Sequence, residues 1–208
     1  MTKQRSPRIG VVGVPGGWSS EALADAVESL TGERLLIDMS RTVLDLEARR
    51  VMFGDVDLCE LDGLLIKKVG TSYSQDMLDR LETLRYVKAC GVSVFSDPLS
   101  ILRLMDRMSC TVTLAQAGIP IPATTITENL EQAVATIERY GQAVLKPLYS
   151  TKAKGMQLID AKSEPDLRSR LAAFQSAGNP VMYIQRKLNI PDRDLGVIFL
   201  GGEHLGTY

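Results

Sequence analysis

Apolar positions in the first hundred residues alternate between strand-like runs and helical spacing. "RIGVVGV" (Arg8 to Val14) is a short β-branched run that predicts a strand. A glycine-rich turn follows, and Ala22, Leu23, Ala26, Val27 and Leu30 then recur at helical spacing, with Ser19 or Ser20 placed to cap the helix. Residues 34 to 39, "RLLIDM", read as a second strand and 61 to 70, "LDGLLIKKVG", as a third. The LLI core of the third lacks the alternation of a half-solvated strand. Residues 74 to 91 form an amphipathic helix ending at Gly91, and "VSVFSDP" a fourth strand stopped by Pro98. Strands alternating with helices predict a parallel, doubly wound α/β sheet.

Beyond Pro98 the pattern changes. Residues 98 to 118 read as one helix, and Pro120 and Pro122 in "IPIPATTIT" impose an extended connector. A helix is predicted over 128 to 140, starting at Glu128 and Asn129, then a strand in "QAVLKPL" and another in "MQLID". "SEPDLRSRLAAFQSAG" predicts a helix capped by Ser163 with Asp166 three residues on, and "VMYIQRKL" a further strand. In "DLGVIFLGGEHLGTY", Gly201 and Gly202 make a two-residue hairpin turn, so the chain stops in the second arm of a hairpin and an incomplete domain is expected. Neither an internal repeat nor a low-complexity tract is visible.

The 208 residues, 45% hydrophobic and 24% charged, can bury a sizeable core. A net charge of −1 argues against a nucleic-acid surface, which needs clustered Lys and Arg to neutralise many phosphates. Cys59, Cys90 and Cys110 are scattered without CxxC spacing, which suggests neither a disulfide framework nor a zinc site and points to a reducing cytoplasm. No apolar run is long enough to span a membrane or to serve as a signal segment.

Chemistry concentrates in "AVLKPLYSTKAKGM" (143 to 156). Lys146 ends an apolar strand whose neighbours favour burial, so its ammonium must reach solvent or meet an anion. The loop after it offers Ser150, Thr151, Lys152, Lys154 and the flexible Gly155, residue types that close over phosphates through backbone N–H groups and side-chain donors. Three other features favour bland readings. "GVVGVPGGW" (10 to 18) is glycine-rich but departs from GxGxxG, the paired Lys67 and Lys68 read as solvated, and the sole histidine, His204, is a poor centre for a Ser-His-Asp relay.

Four segments in order, "LDGLLIKKVG", "SDPLSILRLMDRMSCTVTLAQAGIPIPATT", "AVLKPLYSTKAKGM" and "YIQRKLNIPDRDLGVIFLGGEHLGTY", resemble the ATP-grasp superfamily from about Asp62 to Tyr208. The branch is that of ribosomal-protein glutamate ligase and glutathione-synthetase-like enzymes, and the wording is also similar to a small ATP-grasp branch named for the GAK system. The resemblance implies a Rossmann-like N-terminal domain (1–97), a first ATP-grasp subdomain (98–183) and the start of a second (184–208). It implies ATP with Mg²⁺, small-molecule or peptide carboxylate and amine substrates, and allows a homo-oligomer. Arg107 stands where the family has a phosphate-reaching lysine, Lys146 matches the strand lysine, and Tyr149 to Met156 match the phosphate-covering loop. Gln185, Arg186, Lys187 and Leu188 match the adenine-gripping hinge and Asp194 the acid of a "D-I-R" motif.

The departures matter as much. Arg186 replaces an acid, Gly196 replaces the motif's arginine, and Lys152 and Lys154 replace small residues. The family's metal-binding acids are expected beyond Tyr208, with no metal ligand and no covalent nucleophile inside these residues. The implied activity is ATP-dependent ligation of a carboxylate to an amine through an acylphosphate; the competing reading is a non-catalytic nucleotide-binding or regulatory relative. A Rossmann-type dehydrogenase would leave 143 to 208 unexplained. The cations at 107, 146, 152 and 154 are expected to converge on a triphosphate-sized hollow.

Overall fold

The computed structural model describes residues 5–71, 74, 76–150, 153–190 and 193–208. The chain divides into two units, Met1–Gly118 with Tyr149–Lys152, and Ile119–Leu148 with Ala153–Tyr208.

In the first unit the elements run β1 (Ile9–Val12), α1 (Trp18–Thr31), β2 (Leu36–Ile37), β3 (Thr42–Asp45), β4 (Arg50–Phe53), β5 (Val56–Asp57), β6 (Gly63–Ile66), α2 (Asp76–Ala89), β7 (Ser93–Phe95), α3 (Pro98–Met105) and α4 (Arg107–Gln116). Strands β2, β1, β6 and β7 lie in that order and all pair in parallel. Neighbouring residues of β1 serve opposite faces. Val11 packs with Ala24 and Val27 of α1, whereas Val12 packs with Leu64, Leu81, Leu84 and Val87 around α2. Burial on both faces explains the unalternated LLI run.

Several local expectations are corrected here. The third strand covers only Gly63–Ile66, and the backbone N–H groups of Lys67 and Lys68 both donate to the Val12 carbonyl. Gly17 is the N-cap residue of α1 and supplies no side-chain cap. Ser20 is instead buried, its Oγ accepting the Val14 N–H at 3.1 Å. Gly13 permits that close approach, since a Cβ there would lie 2.7 Å from the Ser20 Cβ. The antiparallel meander β3-β4-β5 was not expected, because residues 46 to 49 carry no Gly, Pro or Asn and Arg49 alone supplies the positive φ of 55°. Pro98 begins a helix as well as following a strand, with Asp97 capping it through the Leu99 and Ser100 N–H groups. The single helix expected over 98 to 118 is two. At Asp106 the backbone N–H still bonds Leu102 while its carboxylate accepts the Met108 N–H, so one residue closes α3 and caps α4.

The second unit contains β8 (Thr124–Thr127), α5 (Leu130–Tyr140), β9 (Gln142–Lys146), β10 (Gln157–Asp160), α6 (Leu167–Ser176), β11 (Met182–Arg186), β12 (Val197–Leu200) and β13 (Glu203–Thr207). Strands β10, β9, β11 and β8 form an antiparallel sheet in that order. Ala143, Leu145, Ile159, Met182 and Ile184 bury against Ala133 and Ile137 of α5 and Leu171 and Phe174 of α6. By strand alternation the residues between them occupy the opposite face. Asp166, not Ser163, caps α6, accepting the Ser169 N–H at 2.9 Å. β12 and β13 pair as a hairpin turning at Gly201 and Gly202. No helix among the described residues is long and apolar enough to cross a membrane.

Candidate functional site

Register places the site in the second unit. Tyr183 lies opposite Lys146, Gln185 opposite Val144 on β9 and opposite Thr124 on β8. Residues paired across an antiparallel ladder share a face, so Lys146, Gln185, Tyr183 and Thr124 meet on the side away from α5 and α6. The half-buried Lys146 donates to Gln185 Oε1 at 2.7 Å, and its Nζ lies 5.9 Å from the centroid of the Tyr183 ring. Gln185 Nε2 donates to Thr124 Oγ1 at 2.9 Å and to the Tyr183 hydroxyl at 3.2 Å. An ammonium beside an aromatic face, with an amide oxygen at hydrogen-bond distance, is a cation held in one place.

Arg186 points elsewhere. One residue along β11, it turns to the helical face, where its guanidinium lies 5.2 Å from the ring centroid of Tyr140. Tyr140 is the last residue of α5, and its hydroxyl meets Thr125 Oγ1 at 2.9 Å. Lys187 and Leu188 lie past the end of β11, and the Lys187 N–H donates to the Gln142 carbonyl. Arg186, Lys187 and Leu188 do share a cavity of about 400 Å³ with Gln142, Asp160 and Lys162. The Gln142 side chain, then the Lys162 N–H, hold the Asp160 carboxyl below its usual range.

In the first unit Arg107 Nη2 reaches Ser150, donating to its carbonyl at 3.3 Å and its Oγ at 3.2 Å. Arg107 is thereby tied to the start of the expected phosphate loop. Thr151 and Lys152 lie outside the described residues. In the second half of that loop Lys154 is exposed and Gly155 has a φ of +74°.

Asp194 is exposed. Gly196, the position of the lost arginine, exchanges backbone hydrogen bonds with Tyr208. Its missing side chain leaves the space in which the Tyr208 ring lies, because a Cβ would stand 2.3 Å from that ring. The glycine-rich turn before α1 is occupied by the chain's own acid. Gly16 N–H donates to Glu21 Oε1 at 2.6 Å, and the other Glu21 oxygen pairs with Arg34. A phosphate would meet a carboxylate there. Lys67 and Lys68 are exposed, and His204 bonds Thr207 in an exposed hairpin.

Thr124 and Tyr183 were not foreseen as site residues. Each reads as an ordinary strand residue, and only the register joins them to Lys146. Among the described residues no three His, Cys, Asp or Glu side chains cluster as a metal site, and all three cysteines are free thiols.

Comparison with known proteins shows the family and the fold. A family model described as "RimK-like ATP-grasp domain" matches residues 104–208. The chain is 25% identical over 207 residues to the tetrahydromethanopterin:alpha-L-glutamate ligase of Methanosarcina acetivorans, covering 93% of this chain and 64% of that protein. It is 22% identical over 199 residues to the ligase of the same name from Methanococcus maripaludis, covering 93% and 66%. The chain thus spans a little under two thirds of the length of these curated relatives. Among solved structures, a RimK domain protein ATP-grasp from Sphaerobacter thermophilus superposes with a TM-score of 0.71 at 18% identity, covering 96% of this chain and 71% of that one. The ATP-grasp ligase PsnB complexed with minimal precursor, Mg and ADP superposes at 0.63 and 17% identity, covering 87% and 65%. At those identities the likeness is one of fold, and the fold is the α/β ATP-grasp fold.

Proposed function

The chain belongs to the RimK-like ATP-grasp family, and from that premise we propose that it binds ATP and takes part in ATP-dependent ligation of a carboxylate to an amine. The observation that carries this reading is Lys146, held by Gln185 and Tyr183 on the sheet face that the helices leave to other partners. Lys146 is the cation that receives ATP phosphate oxygens, and Arg107 has the same role. Residues 150–155 form the covering loop, Gln185 to Leu188 line the adenine, and Asp194 sits at the edge of the nucleotide site. The Arg186 side chain stacks on Tyr140 and its N–H bonds the Ala123 carbonyl, so its backbone carbonyl is what it offers there.

In the ligation a carboxylate oxygen attacks the γ-phosphorus and ADP leaves. The amine then attacks the acyl carbon and inorganic phosphate departs. Neither step needs a protein nucleophile, so the residues named act by position and charge. Mg²⁺ accompanies ATP in this chemistry and neutralises charge on the transferring phosphoryl group. Among the described residues no three His, Cys, Asp or Glu side chains gather into a metal cluster, and no step here runs through the ion. The relatives' names point to glutamate, and the PsnB complexes to peptides, as substrate classes. The free thiols support a reducing, cytoplasmic setting.

A second reading, a nucleotide-binding relative without chemistry, is favoured by Tyr208 filling the place of the family's arginine at Gly196. Two measurements separate them. Calorimetry with a non-hydrolysable ATP analogue tests the nucleotide site, and no binding removes both readings. Hydroxylamine trapping of an acyl hydroxamate from ATP and carboxylate tests the ligation, and binding without trapping supports the second reading alone.

A further inference from the structure

A cavity of about 890 Å³ opens within the first unit. Its wall is apolar. Leu78 comes from α2, and Leu99, Leu102 and Met105 come from α3. Leu78, Leu99 and Leu102 are 49%, 57% and 37% exposed, so three leucines leave apolar surface facing one hollow. A patch of that kind marks a binding site more often than a scatter of single exposed residues does.

The rim is polar and carries one charge of each sign. Arg103 and Asp106 both line the cavity. The Asp106 carboxylate is engaged as the cap of α4, with Oδ1 accepting the Met108 N–H at 2.9 Å. Arg103 makes no hydrogen bond or ion pair to another described residue. A guanidinium beside an apolar hollow offers a fork of donors suited to a carboxylate, while Ser109 and Tyr149 add hydroxyl groups on the same rim.

We propose that this cavity binds a carboxylate carrying a large apolar body, aryl or medium-chain alkyl, with the body on Leu99 and Leu102 and the carboxylate on Arg103. Asp106 and Tyr149 flank Arg107 and Ser150, so a molecule seated there lies beside residues assigned to the phosphates. Its role as the carboxylate substrate rests on the ligase reading, whereas its presence as a site does not.

The test uses 2-naphthoate as the probe, followed by its fluorescence, against 2-naphthamide and acetate on the same protein. Naphthoate is expected to bind at least about tenfold tighter than either comparison ligand. Arg103→Gln should bring naphthoate down to the naphthamide affinity and leave naphthamide unchanged, and Leu102→Asp should abolish binding of both aromatic probes. Thermal melts and binding of the ATP analogue, measured on each variant, confirm that the fold is intact. Leu99→Ala serves as a milder probe of the apolar wall and should weaken both aromatics in parallel. Equal affinity for naphthoate and acetate overturns the proposal, as does naphthoate binding that survives Leu102→Asp or ignores Arg103→Gln. Self-association that hides the cavity and excludes naphthoate also overturns it. Loss of ATP binding with the naphthoate series intact would defeat the ligase reading and leave the site standing.

Discussion

Lys146 Nζ donates to Gln185 Oε1 across 2.7 Å, joining the last residue of β9 to the next-to-last residue of β11. The amide orientation is set by its other end. Both Gln185 Nε2 bonds go to hydroxyl oxygens, Thr124 Oγ1 and Tyr183 OH, which turns the carbonyl toward the ammonium. Gln185 is therefore a positioning residue for Lys146.

Lys146→Ala should weaken binding of an ATP analogue about 10- to 100-fold by calorimetry, the range expected for losing a hydrogen bond to a charged group. Unchanged affinity would remove Lys146 from the phosphate site.

Gln185→Glu places a carboxylate where a neutral oxygen now meets Lys146. The ion pair competes with phosphate, so analogue affinity should fall and partly recover as salt rises. Gln185→Leu should lower affinity without that salt dependence. Matching salt profiles in the two variants would count against the positioning role.

The two faces of β11 and its neighbours should differ sharply in stability. Ile184 is fully buried in the second unit's core, and Ile184→Ala should cost about 2–5 kcal/mol in urea unfolding. Leu158, 54% exposed and on the opposite face, should cost about 0.5 kcal/mol or less when changed to Ala.

Glu21 predicts an acid limb of stability. The Gly16 N–H, then Arg34, hold its carboxyl below the usual 4.5. A group lowered in the folded state stabilises the protein above its ordinary value, and that stability is lost as pH falls from there through the folded value. Thermal melts from pH 6 to pH 3 should show a smaller acid-side decline for Glu21→Gln than for the wild type.

Burial and the neighbouring Cys90 thiol push Cys59 up to about 12. Iodoacetamide at pH 8.5 should label exposed Cys90 and leave Cys59 unmodified in the folded protein, as mass spectrometry of peptides would read. Labelling of Cys59 at the rate of Cys90 would contradict its half-buried setting and raised thiol.

Period and punctuation alone were enough to foresee the alternation that builds the parallel sheet, the strand ending at Lys146 and the Gly201-Gly202 hairpin, because these depend on contacts between near neighbours in the chain. Segment order likewise disclosed the family. The meander at 42 to 57 escaped because its first turn carries no turn residue, and the break at Asp106 because a carboxylate can cap a helix inside a continuous apolar pattern. What only the tertiary structure decided was which side chains share a face. Lys146, Gln185, Tyr183 and Thr124 come from three strands whose register is set by burying Leu145, Ile184 and Met182 under the helices. A one-residue slip would send all four to the other face. Arg186 falls on that other face by the same alternation, and no local pattern in its own strand could have placed it against Tyr140.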